Sequence, residues 1–112
     1  MGLPVDCRLT AYRGDTWLQH FRLVRDGAPV DLTGATVASW AQSLEPSVEV
    51  ITLDANIVDA ADGMVAIGPP AEGLEARTWD YDVEVTEFGG DVITWVRGTL
   101  TVRPDVTNAS AP

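Results

Sequence analysis

Residues 81–86, Tyr81-Asp82-Val83-Glu84-Val85-Thr86, alternate apolar and polar side chains without a break. Tyr81, Val83 and Val85 face one way; Asp80, Asp82, Glu84 and Thr86 face the other. That is the pattern of an antiparallel strand with one wet face. Phe88-Gly89-Gly90-Asp91 follows as a turn, with glycines suited to positive φ. A second strand is predicted over 92–103, with Val92, Val96, Leu100 and Val102 on its core face and Gly98 as a candidate bulge. This hairpin sets the fold class, and the rest of the chain repeats its grammar.

Toward the N-terminus, strands are expected over 8–12, 16–25 and 36–42. They are separated by Arg13-Gly14-Asp15, by the turn signal Asp26-Gly27, and by Pro29-Val30-Asp31-Leu32-Thr33-Gly34. A weaker strand signal covers 48–53, and Ala61-Asp62-Gly63 joins 56–59 to 64–67 as a further hairpin. Residues 71–77 hold the one short helix candidate. Seven or eight short strands at this spacing predict a single all-β sandwich, immunoglobulin-like in outline, over 1–103, with a small closed barrel as the alternative. Residues 104–112 are expected as a polar C-terminal arm, either disordered or extended.

Composition narrows the function. The 112 residues carry 17 acidic and 7 basic side chains, a net charge of −10, and every basic residue is arginine. Such a chain is not built for nucleic acid or for an anionic membrane surface. Cys7 and His20 stand alone in their types, so disulfides, cysteine-rich zinc modules and two-histidine sites are excluded. No apolar run approaches a membrane span, and charges at Asp6, Arg8, Arg13 and Asp15 leave no place for a signal peptide.

Candidate chemistry is thin. A nucleophile–base pair would need Cys7 or a serine beside His20, and nothing in the pattern positions a third group. The stretch from Asp54 to Gly63 misses the EF-hand spacing, with Val58, Asp59 and Val65 at the fifth, sixth and twelfth positions. Arg13-Gly14-Asp15 reads as a turn. Asn108-Ala109-Ser110 is a sequon that a non-secreted chain would not use. No catalytic residue, cofactor or metal is expected.

The four tryptophans carry more. Trp17 shares a face with Phe21 and Leu23 and is expected in the core. Alternation turns Trp40 and Trp95 outward, which suits either a carbohydrate platform or a protein interface. The candidate interface residues are Trp40, Trp79, Trp95 and Phe88, with Met1, Gly2, Leu3 and Pro4 at one end and Pro104 and Val106 at the other.

Gly14-Asp15-Thr16, the run from Asp26 to Thr36 (DGAPVDLTGAT), and Gly63-Met64-Val65-Ala66-Ile67 carry a resemblance. They resemble small immunoglobulin-like domains of tailed-phage virion proteins, above all the N-terminal domain of baseplate upper proteins. The strand at 79–85 departs from that pattern, with Trp79 where the family has glycine. The central motif is itself structural: Asp31 and Thr33 suit a turn, Gly34 a special φ, and Leu32 a core plug. The resemblance implies a non-enzymatic virion protein made in the host cytoplasm, partnered by phage capsid or tail proteins and open to homo-oligomerisation. With no second domain after residue 103, a capsid decoration or cement protein is expected ahead of a tail, baseplate or neck adaptor. A carbohydrate-binding module is the reading from another class.

Overall fold

In a computed structural model, residues 4–44, 47–70 and 73–104 are described. They are all-β. Ten strands run β1 (Val5–Asp6), β2 (Leu9–Tyr12), β3 (Gln19–Arg22), β4 (Val24–Arg25), β5 (Ala28–Pro29), β6 (Thr36–Ser43), β7 (Glu49–Asp59), β8 (Met64–Gly68), β9 (Thr78–Thr86) and β10 (Val92–Arg103). Eight form one curled sheet, ordered β1-β10-β9-β6-β7-β8-β3, with β2 also on β10; β4 and β5 pair separately. The pairing is mixed, because β1 and β2 both run parallel to β10.

The curl is made by β7. Its first half pairs with β6, from Glu49 to Leu53, and its second half with β8, from Asp54 to Asp59. One continuous strand therefore serves both layers, where the sequence suggested two separate pieces. Between the layers lies a single core, in which Leu32, Val65, Ile67, Trp79, Val83, Val85 and Leu100 are almost fully buried.

The β9–β10 hairpin stands where alternation put it, and Asp80, Asp82 and Glu84 face away from the core. One detail differs. The β9–β10 register shifts between Thr94 and Val96, so Trp95 is an extra residue in β10. A single inserted residue reverses the parity of everything before it. Ile93 thus pairs with buried Val85, while Val92, expected inside, is exposed. Gly98 is not the bulge. It pairs in register with Tyr81, and a Cβ there would overlap the Cys7 carbonyl oxygen.

The predicted strand over 16–25 divides at Leu23. This buried residue donates its N–H to Gly63 O and accepts from Val30 N–H, at 2.8 and 2.9 Å. β3 joins the large sheet and β4 the small one. The helix candidate at 71–77 does not form over its described part, 73–77. There Leu74 is buried, and Glu75 offers its carbonyl to the Trp79 indole N–H at 3.1 Å.

Candidate interaction surfaces

The DLTG turn is a scaffold for one end of the molecule. The Asp31 carboxylate accepts from the Thr33 N–H and hydroxyl at 3.0 and 2.6 Å, and these bonds hold its pKa below the usual value. Leu32, 1% exposed, fills the core below. Gly34 has φ +78°, and Phe88 lies across it so closely that a Cβ would strike the ring at 2.6 Å. Asp26 and Gly27, at φ 55° and 80°, make the tight β4–β5 turn beside them. The turn residues of the motif are thus structural, as their sequence suggested. Phe88 itself remains 84% exposed at this end.

The tryptophans separate into different environments. Trp79 is fully buried, its indole N–H bonded to Glu75 O and its ring under the Arg77 guanidinium. It belongs to the core, which corrects its place among the interface candidates. Trp17 is half-buried against the core, in the irregular segment before β3. Trp95, expected outward, is half-buried and packs against the core through its bulge position. It lines a groove of about 500 Å³ with Phe21, Val24, Arg25, Ile93 and Val5. Arg25 stacks over its ring at 5.2 Å and bridges to Glu87 at 2.7 Å. The indole Nε1 of Trp95 is buried without an acceptor.

Trp40 does face outward. It stands on β6 between Thr52 of β7 and Asp82 of β9, with Arg97 of β10 next along the row. Trp40 and Trp95 therefore do not share one coplanar platform. Burial raises the Asp82 pKa, opposed by a hydrogen bond from the Trp40 backbone, and Asp82 Oδ1 has no hydrogen-bond partner. The alternation signal found Trp40 and missed its surroundings. Val50 sits opposite Gln42, the next residue along that face, and is 61% exposed; Leu44, just after β6, and Val48, just before β7, are 59% and 67% exposed.

The remaining candidates give no shared site. Cys7 packs at the edge of the core and His20 is exposed on β3. Among the described residues no group of three or more metal-ligating side chains gathers. Arg13-Gly14-Asp15 is a turn closed by Asp15 N–H to Tyr12 O at 3.1 Å. Asp62-Gly63 is the β7–β8 turn, with Gly63 at φ +68° under the Leu23 carbonyl. Pro4 is half-buried and Pro104 exposed, while Met1, Gly2, Leu3, Val106 and the proposed arm beyond Pro104 lie outside the described residues. No helix among the described residues is long and apolar enough to cross a membrane.

Neither a known family profile nor a curated protein matches the sequence. The fold is similar to a solved structure described as the N-terminal domain of phage TP901-1 ORF48. The two superpose with a TM-score of 0.61 over 90% of each chain, at 14% sequence identity. The class so defined is an all-β domain with the fold of a phage protein domain.

Proposed function

We propose that this chain is a non-enzymatic structural protein of a tailed-phage particle, acting by docking on other particle proteins. The observation that carries the reading is the agreement of two independent likenesses. The fold matches a phage protein domain over 90% of both chains. The DLTGAT turn, built here by Asp31, Leu32, Thr33 and Gly34, carries the resemblance to baseplate upper proteins. The fold likeness supports a phage structural role, and the sequence resemblance favours a tail or baseplate adaptor. Capsid decoration is the second location, and the acidic, apolar-patched surface suits either.

The chemistry expected of the molecule is recognition. The exposed apolar side chains of the described surface include Phe88 and, together on the β6–β7 hairpin, Leu44, Val48 and Val50, of the kind that mark protein contacts. Co-sedimentation of the purified chain with isolated tails and, separately, with emptied capsids tests the reading. Saturable binding to tails at a small fixed copy number supports the adaptor. Binding to capsids at a copy number near that of the shell subunit moves the protein to the shell. Binding to neither, with binding to a glycan array, replaces the reading by carbohydrate recognition.

A further inference from the structure

We infer that the outer face of the β6–β7 hairpin, centred on Trp40 and Val50, is the docking surface, and that its partner is a different protein presenting an apolar patch flanked by arginine or lysine. The inference deepens the virion reading and rests on it.

A strand in a two-layer fold turns one face to the core and the other to water, and the wet face is normally polar. β9 obeys this rule, with Asp80, Asp82 and Glu84 outward. The β6–β7 hairpin breaks it. Its core face is filled by Ala41, Ser43 and Leu53, all buried. Its outer face carries half-buried Trp40 and exposed Val50 among Gln42 and Thr52, and Leu44, just after β6, and Val48, just before β7, are each more than half exposed. Apolar side chains on both faces of one exposed hairpin make a surface suited to being covered. Tryptophan beside aliphatic groups is the composition of an interface centre.

Charge decides the occupant. Next to Trp40 and Gln42 runs the carboxylate row of β9: Asp80 opposite Gln42, Asp82 opposite Trp40, Glu84 opposite Ala38. Among the described residues no ion pair neutralises any of the three: the pairs are Arg22–Asp62, Arg25–Glu87, Arg77–Glu49 and Arg77–Glu75. Arg97 lies across the row from Asp82 without bridging to it. A second copy packed face to face would oppose two such rows on chains that each carry −10. Like charges juxtaposed at an interface oppose association, whereas a cationic rim on a different protein is attracted. The first half of β7, Glu49 to Leu53, pairs with β6 on one side only among the described residues, and on its outer face Val50 is 61% exposed.

The test uses particles purified from the phage that encodes the chain. Hydroxyl-radical footprinting compares the free chain with the chain in the particle. The inference expects several-fold protection of Trp40, Val48 and Val50. Charge reversal by Asp80→Lys with Glu84→Lys, and separately Val50→Asp, should each lower incorporation at least tenfold. His20→Ala, at an exposed position of β3, should not. Each variant is first checked for an unchanged urea midpoint, and Trp40→Ala with intact folding serves as a second probe. A chain present in the particle with Trp40 labelled as fast as in solution overturns the inference alone. A chain absent from the particle overturns the virion reading and the inference with it. A dimer of the free chain in sedimentation equilibrium, abolished by Val50→Asp, overturns the assignment to a different protein.

Discussion

Gly98→Ala is expected to be among the most damaging single-methyl additions in the protein. β1 and β2 lie along the same edge of β10, in register at Val5↔Val96 and Leu9↔Leu100. Cys7 bridges them and dips over Gly98, so an added Cβ would overlap the Cys7 carbonyl oxygen and come within 2.8 Å of its carbonyl carbon and 3.0 Å of its nitrogen. These are backbone atoms, not the end of a flexible side chain, so relief requires β1–β2 to move by about 1 Å against close packing. Two hydrogen bonds depend on that placement: Cys7 N–H to Arg97 O at 2.9 Å and Tyr81 Oη–H to Cys7 O at 2.6 Å. Losing two bonds at about 1 kcal/mol each, with a buried phenol left unsatisfied at about 1–3 kcal/mol, gives about 3–5 kcal/mol. For a urea slope of about 1.5 kcal/mol/M, the midpoint falls by about 2–3 M, followed by tryptophan fluorescence. Gly89→Ala, where an added Cβ meets nothing, is the control and should shift stability by less than about 0.5 kcal/mol. Tyr81→Phe combined with Gly98→Ala should cost less than the sum of the two, because both act through the Cys7 carbonyl. A Gly98→Ala midpoint within 0.5 M of the parent would refute the close-approach argument.

Leu32→Ala should destabilise by about 2–5 kcal/mol, read as a loss in thermal midpoint, since it empties a 1% exposed site beneath the DLTG turn. Burial and donation to Cys7 push the Tyr81 phenol well above its ordinary value. Above about pH 10 the unfolded chain releases this proton and the folded chain keeps it, so stability falls with rising pH. In Tyr81→Phe that part of the alkaline loss should disappear from the pH dependence of the urea midpoint. Asp82→Asn should unfold at an equal or higher urea concentration at pH 7, because burial opposes the charged form and Oδ1 has no partner. Phe88→Ala, at an 84% exposed position, should change stability by less than about 0.5 kcal/mol, read from the urea midpoint.

The fold class was legible because half-buried strands write period 2 into the sequence, and residues 81–86 do so without interruption. The turns were legible where glycine or Asp-Gly forces φ positive, as at Gly27, Gly34 and Gly63. What alternation cannot encode is an inserted residue. The bulge at Trp95 changed the faces of Val92 and Trp95 together, and it leaves no trace in a pattern of apolar and polar letters. Nor could alternation show that β7 serves two layers, because its outward residues change neighbours midway while the period stays the same. Trp79 lies on the buried face of β9, two residues before Tyr81, so extending the 81–86 register backward would have placed it in the core. The parallel pairing of β1 and β2 with β10 is a long-range contact with no local signal.

The central claim is that this chain is built into a phage particle. Quantitative mass spectrometry of particles purified from the phage that encodes it, before and after separation of tails from heads, measures this most directly. The account predicts the chain in every preparation at a fixed small copy number per particle, following the tails. Its absence from particles that are otherwise complete would contradict the account.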